Sequence, residues 1–253
     1  PPRSTLFPYT TLFRSKPDLI INAAAYTAVD KAENESAKSR LVNSFALKTV
    51  SEICFEKKII LIHFSTDYVF DGTKKSAYIE TDKTNPQSVY GLTKLEGEKN
   101  IINSGCQYFI LRTSWVYSEY GSNFLKTILR LADNLDEIRV VSDQLGCPTY
   151  ARDIVKCVID IFPQAHMKKL NGIYHLAGPE ACSWFDFAKK ILLQKYPDFD
   201  INRLIKINTE EYPTDAVRPK NSELDSSKFH KTFKSKPNKF NISISEALKN
   251  LNI

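Results

Sequence analysis

The chain has 253 residues, 42% of them hydrophobic and 25% charged, which is enough for one or two domains with a sizeable core. Glycine is scarce: there are 8, the first is Gly72, and none stand in G-x-G spacing, which excludes a P-loop and a glycine-rich nucleotide turn in the chain as written. The net charge of +6 is mild for this length and argues against the basic stripe of a nucleic-acid binder.

Residues 1–15 carry Thr-Leu-Phe twice, at Thr5–Phe7 and Thr11–Phe13, with Arg-Ser at Arg3–Ser4 and Arg14–Ser15. They have neither helical nor strand periodicity and resemble translated adapter sequence, so they are expected to be a non-native leader. Without them 238 residues of charge +4 remain. Leu19-Ile20-Ile21, running into Asn22-Ala23-Ala24-Ala25, predicts a buried parallel strand that meets a loop of small residues. Residues 32–55 have apolar positions at helical spacing, and residues 59–64 predict a second buried strand that ends at Ser65-Thr66-Asp67. A helix over about 89–103 and a strand over 108–112 follow. Strand, helix, strand, helix, strand is the α/β pattern of a parallel sheet. Further helices are predicted over 123–132, 151–162, 183–195 and 243–251, with strands at 138–141 and 172–176. Ser183, three residues before Asp186, reads as a helix cap. The C-terminal third, rich in Asn, Lys, Ser and Pro, predicts a smaller lobe of short elements.

The five cysteines include no C-x-x-C pair and are odd in number, which fits free thiols in a reducing cytoplasm. The longest aliphatic run, Ile59–Ile62, is far too short to span a bilayer, so a cytoplasmic location with no membrane partner is expected. No spacing requires a metal. His63 reads as a core histidine, the lysines at 228, 231, 234, 236 and 239 as a solvated surface, and Asp133, Asp136 and Glu137 as a helix-end loop.

Tyr90 and Lys94 form a Y-x-x-x-K pair, which a helix places on one face. A nearby ammonium favours phenolate and would make the tyrosine a usable proton donor or acceptor near neutral pH. Alone the pair is weak: 12 tyrosines and 26 lysines produce about one such spacing by chance. Its context is stronger. Thr66 and Asn22–Ala25 close the two preceding strands, and open parallel sheets bind ligands at the carboxyl ends of their strands.

Seven segments occur in order: IINAAAYTAVDKAE (20–33), HFSTDYVFDG (63–72), VYGLTKLEGE (89–98), LRTSWVYS (111–118), VVSDQLGCPTYARDI (140–154), GIYHLAGP (172–179) and RPKNSELD (218–225). Together they are similar to the dTDP-4-dehydrorhamnose reductase family of extended short-chain dehydrogenases/reductases, over about residue 17 to the C-terminus. The resemblance implies an NAD(P)-binding, Rossmann-like parallel sheet and a small C-terminal substrate-binding lobe. Residues 16–145 would form the cofactor and catalytic part, and 146–253 a substrate lobe interleaved with the sheet. It implies Tyr90 as proton donor to the sugar C4 ketone and Lys94 as the residue that holds the nicotinamide ribose and lowers the tyrosine pKa. Thr66 would bond the carbonyl, with Asp67 as an adjacent acid, and Ala23, Ala24 and Ala25 would line the cofactor. Trp115, Asn123, Gln144, Pro148, Thr149 and Arg218 would face the nucleotide-sugar. The implied cofactor is NADPH or NADH, the partner a dTDP-sugar, and a homodimer is an open expectation. A related epimerase or a non-catalytic binding subunit are the alternatives. STDYVFDG and RPKNSELD weigh against the first, and Thr66, Tyr90 and Lys94 against the second.

The family begins with a strand, a glycine-rich turn and a helix, and the match here starts at what would be its fourth strand. An N-terminally incomplete chain is therefore expected, lacking roughly 50–60 residues at about 30 per βαβ unit. Residues 19–23 would then be an apolar sheet edge, and cofactor binding would be poor. Micromolar binding in a titration with NADH and NADPH would overturn that expectation.

Overall fold

The computed structural model describes residues 16–251, so the leader expected at 1–15 lies outside the described residues. The first strand, β1, covers Leu19–Asn22. Helix α1 (Val29–Asn34) and helix α2 (Ser36–Arg40) follow, and α2 runs through a π-turn at Leu41–Phe45 into α3 (Ala46–Lys57). Next come β2 (Ile60–Thr66), α4 (Val89–Ser104) and β3 (Tyr108–Thr113). The chain continues through β4 (Val116–Tyr117), α5 (Phe124–Asn134), β5 (Ile138–Val141), β6 (Leu145–Gly146), β7 (Thr149–Tyr150) and α6 (Ala151–Ile161). It ends with β8 (Gly172–His175), β9 (Cys182–Ser183), α7 (Trp184–Lys195), β10 (Leu204–Ile207), β11 (Asn221–Ser222), α8 (Ser227–Phe233) and α9 (Phe240–Asn250).

The main sheet is parallel, in the order β1-β2-β3-β8. Strand period two sends Leu61 and Ile110 to one face, where they pack with Leu47, Cys54 and Ile101 of α3 and α4. It sends Ile62, Phe109 and Leu111 to the other, against Ile154, Val158 and Phe229 of α6 and α8. Helices on both faces explain why these strands read as unbroken apolar runs. Strand β1 is paired on one side only among the described residues, and Ile21 there is exposed, as the sequence predicts for an apolar edge.

A second core joins β5, α5, α7, β10 and α9 through Leu125, Ile128, Ile138, Phe187, Ile191, Leu204 and Ile244. Strand β5 pairs with β10 in parallel. Ser183 caps α7 by accepting the Asp186 backbone N–H at 3.0 Å, as its position in the sequence predicts. The five cysteines are free thiols. No helix among the described residues is long and apolar enough to cross a membrane.

The structure corrects two predicted helices. The helix expected over 32–55 is broken after Asn34, and it is widened at Leu41–Phe45, where the Asn43 side chain bonds the Tyr26 backbone and Thr93. The final helix starts at Phe240 rather than at 243, since the buried Phe240 opens its apolar face.

Candidate active site

Strand β2 delivers Thr66 and Asp67, both buried, to the carboxyl end of the sheet. The Thr66 hydroxyl donates to Asp67 Oδ1 at 2.9 Å and accepts the Tyr68 backbone N–H at 3.2 Å. Helix α4 begins where Ser88 accepts the Gly91 N–H at 3.1 Å, a side-chain N-cap. Tyr90 lies in the first turn and Lys94 one turn on, as the Y-x-x-x-K spacing predicts. A Cβ on Gly91 would overlap the Tyr68 carbonyl, so the helix and the turn after β2 meet backbone to backbone. This contact brings the half-buried Tyr90 ring beside the Tyr68 ring, edge-on, with centroids 5.5 Å apart.

Burial dominates the electrostatics. It pushes the Asp67 carboxyl up to about 6, offset in part by the hydroxyls of Ser222 and Thr66. Asp67 Oδ2 is buried without a hydrogen-bond partner. Burial also raises the Tyr90 phenol, opposed by hydrogen bonding to Thr66 and reinforced by the Asp67 charge. Lys94, 2% exposed, is pushed down to about 8 by burial. Here the structure differs from the expectation that Lys94 lowers the Tyr90 pKa. Lys94 Nζ donates to the Phe64 carbonyl at 2.6 Å and meets His63 Nε2 at 3.1 Å. With the ammonium engaged there, desolvation sets the phenol, and Tyr90 keeps its proton at neutral pH.

A cavity of about 450 Å³ opens beside these residues, lined by Tyr68, Trp115, Phe124, Arg139, Gln144, Trp184 and Arg218 among others. Tyr68 belongs to both places, since it lines the cavity and packs on Tyr90. The Trp115 and Trp184 rings stack at 3.4 Å and 7°. Trp115 takes φ 47°, a left-handed conformation that is strained for a bulky residue. A Cβ on Gly146 would overlap the Trp115 ring, so glycine there admits it. Gln144 bridges two elements, accepting from Trp184 Nε1 at 3.2 Å and donating to Thr209 at 3.0 Å. Arg218 Nη2 pairs with Asp30 at 2.6 Å, and Nη1 reaches the Tyr68 hydroxyl at 3.3 Å.

The cavity thus gathers Trp115, Gln144 and Arg218 of the predicted substrate-facing set and leaves three members aside. Asn123 caps α5 by accepting the Lys126 N–H, and its amide donates to the carbonyls of Ser118 and Tyr120. Thr149, fully buried, donates to the Cys147 carbonyl and accepts the Gly178 N–H. Pro148 is buried, its carbonyl packed against Gly178. Ala23 and Ala24 are exposed and Ala25 half-buried at the end of β1, a low shelf suited to the close approach of a flat cofactor. Asp30, Tyr68, Arg139 and Trp184 are cavity residues that the sequence reading missed. Trp184 carries a signal, as one of only two tryptophans in the chain. The Asp30–Arg218 pair, 188 residues apart, carries none.

A parallel sheet whose second strand ends in a threonine facing a Tyr-x-x-x-Lys helix defines a class, the short-chain dehydrogenases/reductases. The model of the RmlD substrate binding domain matches residues 9–253. The dTDP-4-dehydrorhamnose reductase of Sinorhizobium fredii is 48% identical over 223 residues, covering 86% of this chain and 75% of that protein. The reductase of the same name from Escherichia coli K12 is 40% identical over 222 residues, covering 86% and 74%. Among solved structures, a dTDP-4-dehydrorhamnose reductase of Clostridium acetobutylicum superposes with TM-score 0.89 at 34% identity, covering 96% of this chain and 84% of that one. One from Bacillus anthracis, in complex with NADP, superposes with TM-score 0.86 at 34% identity, covering 95% and 83%. The chain belongs to the dTDP-4-dehydrorhamnose reductase family.

Proposed function

We propose that this chain reduces the C4 ketone of dTDP-4-dehydro-L-rhamnose to dTDP-L-rhamnose, with NADPH or NADH as reductant. When bound, the reduced nicotinamide supplies the hydride that adds to the carbonyl carbon. The chain's own residues do the rest. Tyr90, kept in its phenol form by burial, donates the proton to the ketone oxygen. Thr66 orients that oxygen through its hydroxyl, and Asp67 orients Thr66 by accepting its proton at 2.9 Å when no ketone is present. Ala23 to Ala25 form the cofactor shelf, and Lys94 binds the ribose hydroxyls. Trp115, Gln144 and Arg218 line the substrate cavity, joined by Trp184 and Tyr68. Arg218 is suited to the diphosphate, because a guanidinium makes paired charge-assisted hydrogen bonds to phosphate oxygens. In this division residues 16–145 serve cofactor and proton and also bring Tyr68, Trp115 and Gln144 to the substrate cavity, while 146–253 add Trp184 and Arg218.

The observation that carries the reading is the meeting of Thr66, Tyr90 and Lys94 at one strand end beside a cavity that holds an arginine and stacked aromatics. The test follows nicotinamide absorbance with dTDP-4-dehydro-L-rhamnose and identifies the sugar product. Reduction is expected with the unsubstituted chain at a nicotinamide concentration high enough to offset the poor cofactor binding that the sequence predicts, and Tyr90→Phe should lower kcat by about 100-fold or more while cofactor affinity holds. A Tyr90→Phe enzyme with native turnover would remove Tyr90 from the mechanism.

A further inference from the structure

One carboxylate at the rim of the cavity holds a stretch of chain that the reaction described above leaves without a support. Between β10 and β11, residues 213–219 run along the cavity wall and contribute Thr214, Arg218 and Pro219 to its lining. The stretch contains no helix or strand, and Val217 in its middle is exposed. Among the described residues, its hydrogen bonds to the rest of the fold are made at Ala216 and Arg218. Asp30 of α1 receives two of the three. Its Oδ1 accepts the Ala216 backbone N–H at 3.2 Å, and its Oδ2 accepts from Arg218 Nη2 at 2.6 Å. Tyr68 receives the third, from Arg218 Nη1 at 3.3 Å. A single carboxylate thus fixes both the backbone that carries the arginine and the head of its side chain.

Asp30 is itself anchored toward the proton donor. Glu33, on the same helix, accepts through Oε1 the backbone N–H of Val89 at 2.9 Å, and Val89 precedes Tyr90. The path from Tyr90 to Arg218 therefore crosses one six-residue helix tied at both ends. A sugar-nucleotide that must place its ketone at Tyr90 and its diphosphate at Arg218 needs that spacing held, because misplaced groups react slowly.

Two effects of Asp30 on an anionic ligand oppose each other. An arginine side chain loses rotamer freedom when it grips a phosphate, and a partner that already orients it removes part of that cost. Against this, the carboxylate has the same charge sign as the diphosphate. The Asp30 side chain is 42% exposed, so solvent and salt screen the repulsion, and orientation wins.

We infer that Asp30 is a positioning residue for Arg218, holding segment 213–219 against α1 and aiming the guanidinium at the diphosphate of the bound sugar-nucleotide. The inference rests on the reading above that Arg218 meets the diphosphate, and Asp30 acts through Arg218 rather than on the reacting atoms.

The test is a double-mutant cycle on the full chain, read by tryptophan fluorescence with dTDP and with thymidine, which lacks the diphosphate. Asp30→Ala should weaken dTDP binding about fivefold and leave thymidine within about twofold. In the Arg218→Ala background the same substitution should weaken dTDP no further. A role in general stability would instead move both ligands in both backgrounds. Asp30→Asn keeps the shape and loses the charge; it takes the place of Asp30→Ala if that variant does not fold, and should weaken dTDP with the same selectivity. Unchanged or tighter dTDP binding in the Asp30 variant, or an equal loss with and without Arg218, overturns the inference while Arg218→Ala alone still weakens dTDP. If Arg218→Ala leaves dTDP affinity unchanged, the diphosphate reading fails and this inference falls with it.

Discussion

Asp67 shows how much a single residue's surroundings decide. Its position after Thr66 is plain in the sequence, but its protonation is not, because that depends on burial and on Ser222, which is 155 positions away. The carboxyl is raised to about 6 in the fold, against an ordinary value near 3.9 in the unfolded chain. Between those values the folded chain keeps a proton that the unfolded chain has lost. Stability from this group is therefore full below about pH 4 and is lost as pH rises through about 6, with a cost of up to about 3 kcal/mol above that. Asp67→Asn mimics the protonated acid, so it should raise the melting temperature at about pH 7.5 and leave it unchanged near pH 4. Thermal melts at the two pH values check this, and stabilisation only at the lower pH would reverse the assignment.

At the scale of elements, α4 carries the site because it packs more closely than a helix usually does. A Cβ on Gly97 would overlap the Asn43 carbonyl oxygen in the π-turn between α2 and α3. Helix propensity alone favours Gly97→Ala by about 1 kcal/mol. The obstruction is backbone, which cannot rotate away, and overpacking costs about 1–3 kcal/mol or more. The clash should win, lowering the urea midpoint of unfolding; a raised midpoint would mean that the π-turn yields. The main elements were legible because apolar runs mark β2 and β3 and a strong helical apolar period marks α5. The two-residue strands β4, β6, β7, β9 and β11 were not, since two residues have no period. Helix α8 was hidden by its lysines, which are exposed as expected, while Phe229 and Phe233 bury one face between them.

At the scale of the whole molecule, the cavity exists because distant segments close on each other. Asp30 of α1 meets Arg218 from the segment before β11, and Trp115 after β3 meets Trp184 at the start of α7. Both tryptophans of the chain line the cavity, so intrinsic fluorescence reports its occupancy. Arg218→Ala should weaken dTDP binding by about tenfold or more, the worth of a charge-assisted hydrogen bond to phosphate. Its ion pair with Asp30 is partly exposed and contributes about 1 kcal/mol or less, so the melting temperature should barely move. An unchanged dTDP affinity in a fluorescence titration would place the diphosphate elsewhere.

The sequence by itself determined the parallel α/β class, the strand-end threonine and the Tyr90–Lys94 face, because local periodicity and i,i+4 geometry are properties of neighbouring residues. It also determined the family, through seven segments in fixed order. Only the tertiary structure decided which residues share the cavity, turned Asn123, Pro148 and Thr149 into supports, and set Lys94 against His63 rather than Tyr90. The physical reason is that burial, charge state and hydrogen-bond partners depend on atoms brought together from far along the chain.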